Sequence, residues 1–307
     1  LFNHFALICT IIFYIQKNIP GDKYMQLIAD SGSTKTEWIL IESGRVLKQL
    51  ITKGINPFFQ TEEEIYAELQ AVMSPKIDTA KVQQIHFFGA GCALPERKAQ
   101  VANALKAVFT NAVISVESDL LGAARALLGR EKGIACILGT GSNSCFYDGE
   151  NIVQNVSPLG FILGDEGSGA VLGRMFVGDC LKNQLPAAIR DKFMDEYQLT
   201  PAIILDRVYK QPFPNRFLAS FMPFLAAHQH EPAIYNNVYN AFVAFFRRNV
   251  MQYDYNSYPV CFTGSVAYGF ADILRKAAAD CGVRVDKIEK NPMNGLVEMY
   301  YKETPNP

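Results

Sequence analysis

Gln26-Leu27-Ile28-Ala29-Asp30-Ser31-Gly32-Ser33-Thr34-Lys35-Thr36-Glu37-Trp38-Ile39-Leu40-Ile41-Glu42 is the stretch on which the fold turns. Its first five residues form an apolar strand, and Ser31 to Thr36 a small, polar turn. From Glu37 the sequence alternates, setting Trp38, Leu40 and Glu42 against Ile39 and Ile41. A turn at Gly44 leads into a third strand, Val46 to Gly54. Strand, turn, strand, turn, strand is an antiparallel meander. Thr61 and Glu64 then have capping-box spacing ahead of a helix. Ile85 to Gly91 is a short buried strand, Pro95 opens a helix, Asn111 to Asp119 is a strand, and Leu121 to Gly129 is a small-residue helix.

The pattern then restarts. Gly133 to Ser142 is strand and turn, and two further strands follow by Pro158. A mainly helical stretch runs over about 166–252. Pro259 to Ala267 is a strand ending in a Gly-Ser turn, Phe270 to Gly282 a helix, Val285 to Asn291 a strand, and Gly295 to Glu303 a last helix. Ser31-Gly32-Ser33 aligns with Thr140-Gly141-Ser142, and His86-Phe87-Phe88-Gly89 with Cys261-Phe262-Thr263-Gly264. A repeat this long exceeds the period of solenoid units. It predicts a duplicated α/β domain, residues 25–131 and 132–307, with the halves meeting near Gly129 to Gly133 and a cleft between them.

The chain has 307 residues, 49% hydrophobic and 19% charged, with a formal net charge of -1. A nucleic-acid binder would carry a basic stripe, and none is present. A small-molecule partner is expected, without nucleic acid or membrane, and a homodimer is left open. The seven cysteines include no C-x-x-C pair, so they read as reduced, mostly buried thiols of a cytoplasmic protein. Phe5 to Ile15 is apolar but too short to span a bilayer. Residues 1–24 read as an artefact of start-site choice, outside the fold, since Met25 is a conventional start. The rival reading is a membrane-proximal anchor.

Three glycine turns carry the chemistry. In Asp30 to Thr36, glycine lets the backbone approach a phosphate, and nearby N–H and hydroxyl groups can donate to it. Lys35-Thr36 is not a Walker A ending: the G-x-x-x-x-G-K spacing is missing and a strand follows. The second turn, Gly139-Thr140-Gly141-Ser142-Asn143-Ser144, holds more small residues than a plain hairpin needs. The third, Gly264-Ser265, precedes a helix, where a nucleotide can sit. Three carboxylates stand out. Asp119, at a strand end, is either a helix N-cap or a general base where α/β folds place their ligands. Asp165, in Gly164-Asp165-Glu166-Gly167-Ser168, either binds sugar hydroxyls or caps a helix. Asp30 either holds Mg²⁺ through water or braces its turn.

The motifs D-S-G-S-T-K-T-E-W, L-G-T-G-S-N-S, G-D-E-G-S and F-T-G-S-V-A, in that order, resemble the N-acetylglucosamine kinase branch of the sugar kinase, heat-shock chaperone and actin superfamily. That branch shares its family with ATPase activators of hydroxyacyl-CoA dehydratases. The resemblance runs from about Met25 to the end. It implies two actin-like (ribonuclease H-like) domains, each a mixed five-stranded sheet with helices, and ATP-dependent phosphorylation of an amino sugar with Mg²⁺. By the same resemblance Ser31, Gly32, Ser33, Thr34 and Lys35 form the first phosphate loop and Gly139, Thr140, Gly141 and Ser142 the second. Gly264 and Ser265 lie at the adenosine site, Asp119 is the catalytic aspartate, and Asn56, Asp119, Thr140, Asn143 and Asp165 contact the sugar. Human-type members carry a tryptophan shortly before G-D-E-G-S, where this chain has Leu159 to Leu163. N-acetylmuramic acid and glucosamine are therefore alternative substrates. A dehydratase activator would hold an iron–sulfur cluster on exposed cysteines, and Cys92 alone is expected in an accessible turn.

Overall fold

The computed structural model describes residues 24–303, apart from 33, 43 and 44. The expectation for the leader falls on residues outside that set, except for Tyr24, whose hydroxyl donates to Gln84. The meander is β1 (Met25–Ser31), β2 (Lys35–Glu42) and β3 (Arg45–Lys53). The first half continues with α1 (Glu62–Met73), β4 (Gln84–Gly89), α2 (Pro95–Val108), β5 (Val113–Ser118) and α3 (Asp119–Leu128). The second meander is β6 (Gly133–Leu138), β7 (Ser142–Tyr147) and β8 (Ile152–Val156). Helices follow: α4 (Gly160–Leu163), α5 (Gly169–Leu181), α6 (Ala187–Glu196), α7 (Pro201–Tyr209), α8 (Pro214–Ala219), α9 (Met222–Ala227) and α10 (Pro232–Arg248). The chain ends with β9 (Val260–Thr263), α11 (Ser265–Gly269), α12 (Ala271–Asp280), β10 (Val285–Glu289) and α13 (Met293–Glu303).

The sheet orders are β3-β2-β1-β4-β5 and β8-β7-β6-β9-β10, one topology used twice. In each, the meander is antiparallel and the last two strands join in parallel. The α1 cap forms as its spacing predicts: Thr61 Oγ1 accepts from Glu64 N at 3.3 Å, and Glu64 Oε2 accepts from Thr61 N at 2.9 Å. Such a cap contributes about 0.5–2 kcal/mol.

The alternation in β2 serves two cores rather than a core and a solvent face, because its sheet is covered on both sides. Trp38 and Leu40 pack with Ile65, Leu69 and Leu105 under α1 and α2, while Ile39 and Ile41 meet Phe88, Ala126 and the α13 residues Met293, Leu296 and Tyr300. The second sheet does the same. Ile134, Leu138 and Phe262 pack against the long helical segment and its Phe176, Phe193, Phe221, Phe224 cluster. Each such buried Phe contributes roughly 1.5–3 kcal/mol. Ala135, Cys145, Tyr147 and Cys261 face Leu120, Leu121 and Ala124 of α3. Helix α3 is therefore the wedge between the sheets, and its small residues Ala123, Ala124 and Ala126, all buried, let both approach.

The Cys92 expectation needs correcting. Its side chain turns beneath the 89–92 turn into the first core and is fully buried. Burial, reinforced by the Asp119 charge, pushes its thiol up to about 12. Among the described residues all six cysteines are free thiols, and no helix is long and apolar enough to cross a membrane.

Candidate active site

Alternation along a strand decides which carboxylates meet. Ile28 faces α3, so Asp30, two residues on, faces the same way. Register sets Asp30 opposite Glu37 across the hairpin. Asp119 opens α3 but does not cap it. Ser118 is the N-cap, its Oγ accepting from Leu121 N at 3.2 Å. The Asp119 carboxylate is held by backbone N–H groups alone, from Leu120 N to Oδ1 at 2.9 Å and from its own N–H.

Burial pushes the Asp119 carboxyl up to about 6 against the pull of the Leu120 and Asp119 N–H groups. Burial also pushes Asp30 up to about 7, helped by the nearby charges of Asp119 and Glu37 and opposed by Lys35. The three carboxyl groups thus lie close enough for Asp30 to hold its proton more tightly, with Lys35 the cation that opposes it. Among the described residues no group of three His, Cys, Asp or Glu side chains is arranged to hold a metal ion directly. Glu37 was absent from the sequence-derived set, although its alternation with Asp30 across a short hairpin was a readable signal.

The first turn is tight, with Gly32 N donating to Lys35 O at 3.1 Å and Gly54 N to Thr34 O at 3.0 Å. Its Ser31 hydroxyl points inward, 2.7 Å from Thr36 Oγ1 and bonded to both N and O of Ile55 at 3.0 Å. What this turn offers a ligand is its exposed segment, including Gly32, Thr34 and Lys35; Ser33 lies outside the described residues. The Ile55 bonds also fix the neighbouring Asn56, which is buried, with its Oδ1 accepting from Phe58 N at 3.0 Å.

The second turn rides on the start of α5. Gly139 O accepts from Gly169 N at 2.8 Å and Thr140 O from Ala170 N at 3.1 Å. Asp165, with φ at +53°, turns its carboxylate onto this loop, accepting from the Ser142 N–H; a Cβ on Gly141 would stand 3.1 Å from Asp165 Oδ2. Burial and the Glu166 charge raise the Asp165 carboxyl to about 6. It does not cap α5, whose N-cap is Ser168. Asn143 Oδ1 accepts from Ser144 N and from Asn155 Nδ2, at 2.9 and 3.0 Å.

In the third turn Gly264 has φ +121°, and a Cβ there would stand 2.2 Å from Leu138 O, so only glycine lets β9 and β6 end side by side. Thr263 Oγ1 just before it is buried without a hydrogen-bond partner. Gly139, Thr140 and Ser265 line one pocket of about 360 Å³, closed on the other side by Ala219, Ser220 and Met222 of the helical segment. Nothing in the sequence of that wall marks it as a binding surface.

No family model matches the sequence, and no curated protein is significantly similar to it. Solved structures are similar. A candidate N-acetylglucosamine kinase from Porphyromonas gingivalis is 46% identical, with a TM-score of 0.88 over 92% of this chain and 100% of that one. A second candidate N-acetylglucosamine kinase, from Chromobacterium violaceum, is 17% identical, with a TM-score of 0.66 over 91% and 99%. A glucokinase of the ROK family from Streptomyces griseus, in complex with glucose and AMPPNP, is 16% identical, with a TM-score of 0.55 over 90% and 97%. The last two share the fold. The first matches along its entire length at an identity that goes beyond fold, and by that measure this chain belongs to the N-acetylglucosamine kinase family.

Proposed function

We propose that this protein transfers the γ-phosphoryl group of ATP to the C6 hydroxyl of an amino sugar, N-acetylglucosamine in the first instance. The observation that carries the reading is Asp119: a carboxylate at the tip of the wedge helix, bonded only by backbone N–H groups at the helix start, with a proton affinity raised toward neutrality. Such a group is matched to general-base work. It takes the hydroxyl proton as the sugar oxygen bonds to phosphorus and the bond to the ADP oxygen breaks.

The pocket against Gly139, Thr140 and Ser265 suits the nucleoside, and the first two glycine turns suit the phosphates. Asn56 and Asn143 suit the sugar hydroxyls, and Asp165 suits both the sugar and the second turn it already holds. The residues fit Mg²⁺ through water, because Asp30, Glu37 and Asp119 concentrate negative charge without forming a direct metal cage. Mg²⁺, when bound, offsets phosphate charge. Phosphoryl transfer asks mainly for positioning and charge stabilisation, so closing the halves over both substrates excludes water and limits wasteful hydrolysis. Free thiols throughout the described cysteines favour a reducing, cytoplasmic setting. The burial of Cys92 speaks against the iron–sulfur activator.

A coupled ADP-release assay across N-acetylglucosamine, N-acetylmuramic acid, glucosamine and glucose tests the proposal. N-acetylglucosamine should raise ADP release well above the sugar-free rate. A panel in which no sugar does so overturns it.

A further inference from the structure

We infer that Phe59 and Phe213 form an aromatic latch between the two halves that couples sugar binding to nucleotide binding. The substrates are those proposed above, so the latch rests on that reading. Phe59 belongs to the first half and is 61% exposed. Its contact lies across the molecule. The Phe213 ring, between α7 and α8, stands 5.2 Å away, centroid to centroid, edge-on at 82°.

Both ends of this contact lead to a substrate. Phe59 is three residues beyond Asn56, and the turn between them is internally tied. Asn56 O accepts from Phe59 N at 3.0 Å, Asn56 Oδ1 from Phe58 N at 3.0 Å, and Gln60 Oε1 from Asn56 N at 2.7 Å. Arg97 fastens the turn from below, donating to Pro57 O at 2.8 Å. A shift of Asn56 therefore carries Phe59 with it.

Phe213 sits between two prolines with φ +58° and ψ +50°, a left-handed conformation that bulky residues rarely adopt. Arg216 clamps its ring, with Cζ 4.1 Å from the centroid. Phe213 O accepts from Arg216 N and Phe217 N, so the residue is the N-terminal end of α8. That helix is six residues long, about 9 Å. Its last residue, Ala219, and the adjoining Ser220 form the far wall of the pocket against Gly139 and Ser265. The ring contact thus joins the loop of Asn56 to the wall of the nucleoside pocket through two short rigid pieces. A ligand that settles one end favours the arrangement the other needs, and linkage makes the effect reciprocal.

The test is isothermal titration of a non-hydrolysable ATP analogue, without and with saturating N-acetylglucosamine. The proteins are wild type, Phe59→Ala, Phe213→Ala, the double variant and Phe59→Tyr. The factor by which the sugar tightens the nucleotide should fall about 2–12-fold in either alanine variant, the range expected of one aromatic pair. It should fall no further in the double variant and should return in Phe59→Tyr. Nucleotide affinity without sugar should stay within about twofold, which separates coupling from damage to the fold. An unchanged factor in Phe59→Ala, or losses that add in the double variant, overturns the latch. A wild-type protein that binds both ligands independently overturns the latch alone; one that binds the nucleotide but no amino sugar overturns the substrate reading.

Discussion

Helix α3 wedges the two sheets apart, yet its two ends are built on opposite principles. At the start, Asp119 shares a desolvated corner with Asp30 and Glu37, and the first two have carboxyls pushed up to about 6 and 7. At the other end, charge and hydrogen bonding are matched. Arg125 donates to Tyr300 Oη at 3.0 Å and bonds the Tyr147 hydroxyl, which in turn donates to Gly129 O at 3.1 Å. His86 stacks on Tyr300 at 3.9 Å, and burial beside the Arg125 cation lowers it to about 4, so it stays neutral. A cation in the last helical turn also complements the helix dipole. One end opposes folding at neutral pH; the other holds the first sheet, the last helix and the second sheet together.

The largest effect should come from Asp119→Asn, which keeps the shape and the Leu120 contact but removes the proposed base. Turnover should fall about 10²–10⁴-fold while affinity for the ATP analogue, measured by titration, is retained. In the wild type, kcat/KM should decline as pH falls through about 6, where the carboxylate takes up its proton. Near-normal turnover in a folded Asp119→Asn would erase the functional end of the comparison.

Arg125→Leu strikes the opposite end. It leaves the Tyr300 and Tyr147 hydroxyls without that donor, at a cost of about 1.5–3 kcal/mol in urea unfolding. The catalytic rate at saturating substrate should change far less than in Asp119→Asn. A variant as stable as the wild type would show that the matched end is ornamental.

The smallest effect is a pair of opposed pH dependences, on the order of 1–2 kcal/mol each. A raised carboxyl binds protons more tightly in the folded state, so its burden on stability appears as pH rises. Asp119→Asn should match the wild type near pH 4 and become more stable than it as pH climbs through about 6. A lowered histidine works the other way. His86→Phe should match the wild type near pH 7 and become more stable than it as pH falls toward 4, where only the unfolded His86 takes up a proton. Parallel rather than opposed trends in unfolding free energy would break the contrast.

The meanders, the restart and the position of Asp119 could be read from residues because they rest on local signals: alternation, glycine turns, a carboxylate at a strand end. The same signals left Asp119 open between cap and base, since a carboxylate before a helix looks like a cap; the Ser118–Leu121 bond removes the cap reading. Ser31 looked like a phosphate ligand because its neighbours do, but its hydroxyl is taken by Thr36 and Ile55. Cys92 looked accessible because it follows a glycine turn, and the turn folds over it. The wall at Ala219 and Ser220, the Phe59–Phe213 contact and the return of α13 to the first sheet join segments far apart in the chain. No local pattern encodes such pairings.

That return has a consequence for how the molecule is made. Gly295 packs α13 against α3 so closely that a Cβ there would stand 2.2 Å from Ala126 O. Ile28, Ile39, Ile41 and Phe88, from the first third of the chain, are covered by Met293, Leu296 and Tyr300 near its end. At translation rates of roughly 5–20 residues per second, that apolar face waits uncovered for on the order of ten seconds or more while the second half is synthesised. A chain cut before Leu296 would keep that face uncovered after synthesis, because Leu296 and Tyr300 are part of its cover.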